Sequence, residues 1–118
     1  MGLFSRKSDA EIKRIRDNDV EAAHRARKWG LASARKWEKR VLEADNELAR
    51  RSTKAIKEAG QQLADAHQMA DAVQEEGHAR YVPAFVQREV DRTRKEARRY
   101  GYSDAQIEFE ARKAARRW

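Results

Sequence analysis

From Ser8 to about Glu76 the apolar positions fall in one narrow row. Ile15, Ala26, Trp37, Leu48, Ala59 and Ala70 recur every eleven residues. Beside them run Ala22, Ser33, Ala44, Ala55 and Ala66, and a third series of Val41, Ser52 and Leu63 completes the stripe. Eleven residues in three turns is about 3.67 per turn, which predicts a nearly straight or slightly right-handed helical association and not a left-handed heptad supercoil. Ser8-Asp9-Ala10-Glu11 has the form of a capping box that opens the helix. No proline follows until Pro83, and Gly77 is a natural stop. The row therefore predicts a flexible tip over 1–8 and a coiled-coil-like helix over 9–76, about 100 Å long if unbroken. Gly30 and Gly60 are its weak points, each costing about 1 kcal/mol relative to Ala, where the rod can kink or turn.

The C-terminal third has a different rhythm. Residues 77–83 read as a connector, with Pro83 suited to the first turn of a new helix. Val86, Val90, Thr93, Ala97 and Tyr100 then follow at three- and four-residue spacing, up to Gly101, a natural residue for a left-handed helix end. Ser103-Asp104-Ala105-Gln106 is a second capping box, and Ile107, Ala111, Ala114 and Trp118 mark one face of a last helix. The fold class is all-α: one very long N-terminal helix, then a short helical hairpin over 84–118.

Composition sharpens the question of what covers the row. Charged residues are 40% of the 118, whereas Leu, Ile, Val and Phe together number only 18. That balance borders on the disordered range, but 21 alanines and a single proline favour helix almost throughout. A slender row of small side chains on one long rod implies cover from a second copy or another helical protein. Ile15, Ala26, Trp37, Val41, Leu48, Ala59 and Leu63 form this candidate oligomer seam. Trp37 stands out in it, because an aromatic side chain buries roughly 150–250 Å².

Charge is segmented. Residues 1–40 carry 12 cations and 6 anions, residues 41–76 carry 4 and 8, and residues 77–118 carry 11 and 6. The middle is thus the electrostatic counterpart of either end, whether in an antiparallel assembly or through a fold-back of the C-terminal hairpin. Arg14, Arg25 and Lys36 share the eleven-residue spacing, as do Lys28, Lys39 and Arg50, so both series lie on one flank of the helix. With Arg98, Arg99, Arg116 and Arg117 they are candidate contacts to an acidic protein or to phosphates, each neutralised phosphate releasing a counterion. The last-turn arginines also suit the negative end of a helix dipole. Nothing in the arrangement suggests base reading.

Other chemistry is thin. The absence of cysteine excludes disulfides and thiolate sites. No apolar run reaches the ~18 residues of a membrane span. Leu3 and Phe4 before Arg6 and Lys7 offer at most a small membrane hook, and Arg6 departs from the myristoylation pattern. Glu21–His24 and Glu75–His78 have the spacing of di-iron ligand pairs, but Gly77 interrupts the second, and neither has two further inward glutamates in prospect. No cofactor, metal or catalytic constellation is expected, so the chain reads as non-enzymatic. The expectation is a helical oligomerisation, assembly or adaptor protein, in the cytoplasm or in a virion, of the kind found in a phage or a GC-rich bacterium. The alternative is a sequence-nonspecific nucleic-acid-binding protein.

Overall fold

A computed structural model describes residues 4–115. It holds four helices and, among the described residues, no strand: α1 (Asp9–Lys28), α2 (Ala34–Glu75), α3 (Ala84–Arg99) and α4 (Asp104–Ala115). The all-α class, the long helix and the C-terminal helical pair are as the sequence indicates. The bounds of the long helix are not. It begins at Ala34, and residues 9–28 form a helix of their own.

Gly30 is the reason. Its φ is +67°, in the left-handed region that favours glycine. The Leu31 N–H donates to the Ala26 carbonyl at 2.8 Å and the Gly30 N–H to Arg27 at 3.1 Å. This pair of bonds is a Schellman end, which satisfies carbonyls that the helix would otherwise leave open. Gly60 does the opposite. It sits inside α2, and a Cβ there would stand 2.5 Å from Glu110 Cβ and 2.9 Å from the Glu110 carbonyl carbon. Its missing side chain lets α4 approach α2 closely.

The chain divides into two compact units, residues 1–51 and 52–118, each taking one part of α2. In the first unit α1 folds back on α2, and Phe4, Ile12 and Ala44 make the apolar core, with Ile15 and Leu48 packed against it. Residues 4–8, expected as part of a loose tip, are tied in. Phe4 is 3% exposed, and its carbonyl accepts from the Arg51 guanidinium at 2.9 Å. The capping box forms at Ser8, whose Oγ accepts from the Glu11 N–H. Leu3 lies outside the described residues.

In the second unit Ile56, Ala59, Leu63, Ala64 and Ala66 of α2 pack with Val86, Val90 and Ala97 of α3 and with Ile107 and Ala111 of α4. Gly77 and Gly101, both at positive φ, close α2 and α3 with the bonds seen at Gly30. Pro83 is the N-cap of α3 and not a residue of its first turn. The second capping box is reciprocal. The Ser103 N–H donates to Gln106 Oε1 at 2.7 Å, and the Gln106 N–H donates to Ser103 Oγ at 3.2 Å.

These packings change the meaning of the eleven-residue row. Ala26, Ala59 and Leu63 are buried, and Ile15, Trp37, Val41 and Leu48 are half-buried. The chain's own helices cover much of the row that the sequence offers to a partner. In the first unit the cover follows from the break at Gly30, and in the second it comes from α3 and α4.

Candidate functional site: the cationic turn between α1 and α2

The strongest chemical concentration lies where the first unit reverses direction. Residues 25–40 hold seven cations (Arg25, Arg27, Lys28, Arg35, Lys36, Lys39 and Arg40) and one anion, Glu38. Ending α1 at Lys28 and starting α2 at Ala34 brings the cations of two helix ends to one place. Their fates differ. Arg27 is hydrogen-bonded to Glu38, and that bond is the main reason the Glu38 carboxyl is held below its ordinary range. Arg40 faces the Asp19 carboxylate, which is almost fully buried, at 3.2 Å. Arg25 lies 3.8 Å from Glu21, both well exposed. Lys28, Arg35, Lys36 and Lys39 are left exposed at the turn.

The apex between these cations is apolar. Trp29 is 74% exposed and Leu31 55% exposed. In a Schellman end the residue after the glycine usually packs back on the helix. Leu31 occupies that place and still presents more than half its surface. A shallow recess of about 440 Å³ beside it is lined by Arg27, Gly30, Leu31, Ala32, Ala34 and Arg35. α2 starts with no acidic residue in its first turn, so the positive end of its dipole adds to the same field. Trp37 is less available, with Lys36 Nζ at 5.6 Å and the Arg40 guanidinium at 5.4 Å from its ring centroid.

The structure therefore gathers only part of the basic set marked in the sequence. Arg25, Lys28, Lys36 and Lys39 come together at the turn. Arg14 is exposed along α1. Arg50 is engaged by Glu47 at 2.7 Å, in the last turn of the first unit. In the second unit Arg98 is bonded to Asp104 and Arg99 to Glu96. Arg116 and Arg117 lie outside the described residues, as does Trp118. Trp29 lies at the edge of the eleven-residue row, where packing is expected, yet it is exposed, and Leu31 and Arg35 belong to neither the row nor the basic series. The signal was present in Trp29-Gly30-Leu31, because a glycine between two bulky apolar residues at a helix end makes a reversal with its flanks displayed.

Elsewhere the chemistry stays dispersed. A groove of about 480 Å³ in the second unit is lined partly by His67, Asp71, Glu108 and Arg112. No group of three potential metal ligands converges among the described residues. Glu75 ends α2 and His78 follows Gly77 in the connector, so that pair shares no helical face. No described helix is long and apolar enough to cross a membrane. The chain matches no known family, and neither a curated protein nor a solved structure matches it.

Proposed function

We propose that this chain is a non-enzymatic helical adaptor whose first unit engages an anionic surface through the α1–α2 turn. One observation carries the reading: four exposed cations, Lys28, Arg35, Lys36 and Lys39, stand at the end of α1 and the start of α2, on either side of the exposed Trp29 and Leu31. Exposed charge alone is commonly a solvated face. Here the cations stand with a tryptophan and a leucine that no solubility requirement explains. Such a turn offers long-range attraction first and short-range apolar contact second.

The test is retention on a polyanionic resin, read as the eluting salt concentration. Lys28→Glu with Lys36→Glu and Lys39→Glu should elute at much lower salt than the unaltered chain. Arg92→Glu with Lys95→Glu and Lys113→Glu makes the same charge change in the second unit and should elute later than the turn variant. Equal shifts from the two triple variants would reduce the effect to net charge and remove the turn's special role.

Self-association is a second reading, favoured by a separate observation. Tyr81, Phe85 and Phe109 in the second unit are each more than half exposed. It expects a light-scattering mass at least twice 13.7 kDa, falling to the single-chain value in Phe85→Ser with Phe109→Ser. A single-chain mass for the unaltered protein at high concentration would end it.

A further inference from the structure

The chemistry of the apex names the kind of surface, if the turn is read as an anionic contact. A polyanion such as duplex DNA offers charge and base edges but little that rewards an exposed aliphatic side chain. A bilayer rewards both kinds of residue at the turn. Tryptophan settles at the boundary between headgroup and hydrocarbon, leucine partitions below it, and lysine and arginine extend their stems to keep the charge among the phosphates. Trp29 and Leu31, two residues apart, are exposed in the turn, while exposed Lys28 ends α1 and exposed Arg35, Lys36 and Lys39 lie in the first turns of α2. From these placements we infer that the α1–α2 turn is a peripheral membrane anchor for bilayers that display anionic phospholipid headgroups.

Two further observations fit this occupant. The recess beside Leu31 is also lined by Arg35, an exposed cation, and by Arg27, whose guanidinium is held by Glu38. The other apolar element suggested for membrane contact, Phe4, is buried against Ile12 and Ala44 and is spent on the core. Phe4 is therefore not free to insert into a bilayer, whereas Trp29 and Leu31 are exposed. Attachment by one shallow wedge is reversible. It needs both the apolar insertion and the electrostatic term, because neither holds a protein on a bilayer alone.

Vesicle co-sedimentation of the full chain at ~0.1 M salt tests this, with phosphatidylcholine vesicles and phosphatidylcholine–phosphatidylserine vesicles in a 7:3 ratio, beside a 30-base-pair duplex. Binding should appear only with the phosphatidylserine vesicles. Trp29→Ser with Leu31→Ser should weaken it by about tenfold or more. The Lys28, Lys36 and Lys39 charge reversal should weaken it by about 100-fold or more, each surface cation contributing roughly fivefold. Unchanged helicity by circular dichroism keeps both variants interpretable. A chain with Trp37→Phe and Trp118→Phe, in which Trp29 reports alone, should blue-shift on phosphatidylserine vesicles and be quenched by brominated acyl chains. Duplex binding tighter than vesicle binding, or vesicle binding indifferent to Trp29→Ser with Leu31→Ser, overturns the membrane assignment but leaves the anionic-contact reading standing. Charge reversal without effect on vesicles, duplex and resin overturns both.

Discussion

The two units share one helix and are held together by different forces. In the second, ten buried apolar residues from α2, α3 and α4 form a continuous core, and Ser52 Oγ bonds the Tyr102 hydroxyl at its edge. In the first, the apolar cluster is Phe4, Ile12 and Ala44, and the α1–α2 contact is laced with charge. Arg16 meets Asp45, Arg27 meets Glu38, Arg40 meets Asp19 and Arg51 meets Asp9. Most of these pairs are partly exposed, and solvent screens them. The Asp19 carboxylate that faces Arg40 is almost fully buried, and Arg51 stands apart again. Only 17% exposed, its guanidinium reaches Asp9 at 2.7 Å, Glu47 at 3.0 Å and the Phe4 carbonyl at 2.9 Å, joining the N-terminal segment, α1 and α2. A chain with few bulky apolar residues thus concentrates them in one unit and closes the other with arginine. The unit closed by charge is the one that presents the cationic turn.

The largest effect expected from breaking this division is in the apolar unit. Ile107→Ala removes one of the most completely buried side chains and should destabilise the second unit by about 3–4 kcal/mol. Hydrogen exchange should show faster opening of α3 and α4, with a loss that is the same in low and high salt. Next is Arg51→Met, which leaves Asp9, Glu47 and the Phe4 carbonyl without their common donor. A cost of about 2–3 kcal/mol confined to the first unit is expected from the loss of these charge-assisted hydrogen bonds, although Glu47 keeps Arg50. Equal loss of protection in both units would mean that they do not behave as separate bodies.

Two glycine substitutions sharpen the contrast at smaller scale. Gly60→Ala improves helix propensity but drives a Cβ into the α4 backbone, so a net loss of about 1–2 kcal/mol in the second unit is expected by thermal unfolding. Gly30→Ala meets open space and is penalised only for its left-handed backbone, about 1 kcal/mol in the first unit. Stabilisation by Gly30→Ala would imply that α1 and α2 prefer to fuse.

The smallest effect is a pH slope. Hydrogen bonds from Arg50 and then Arg51 lower the Glu47 pKa to about 2, from an ordinary 4.5. A carboxyl with a depressed folded-state pKa stabilises the fold fully above its unfolded value and loses that contribution as pH falls through the folded one. The urea midpoint of the first unit should therefore decline between about pH 4.5 and pH 2, and Glu47→Gln should flatten that part of the curve. The second unit lacks an equivalent among its described groups with a resolved shift except Asp104, lowered chiefly by its bond from Arg98 on an exposed corner.

Local signals were legible in the sequence where one residue type has one structural use. Ser8 and Ser103 cap helices, Gly77 and Gly101 end them, and Val86, Val90, Thr93 and Ala97 face inward, all as their spacing implies. Gly30 and Gly60 were visible as places where the rod can kink or turn, with nothing local to choose between them. Glycine at mid-helix costs about the same whether the helix continues, as at Gly60, or turns. Tertiary contacts decide between the two, through Glu110 in one case and Asp9, Asp19 and Asp45 in the other. The candidate site suffered for the same reason. The eleven-residue spacing that aligns Arg14, Arg25 and Lys36 applies only along an unbroken helix, whereas the break leaves Lys28 at the end of one helix and Arg35 and Lys39 at the start of the next.

Whether α1 doubles back within its own chain decides both the fold of the first unit and the existence of the cationic apex. The chain has no cysteine, so Ala10→Cys with Ala49→Cys can carry spin labels at two exposed sites, and electron–electron resonance then reads their separation in protein diluted with unlabelled chain. Helices packed roughly 8–10 Å apart should give a label distance under about 25 Å. A distance near 60 Å, the span of those residues on one straight helix, would contradict the hairpin and return the apolar row to a partner chain.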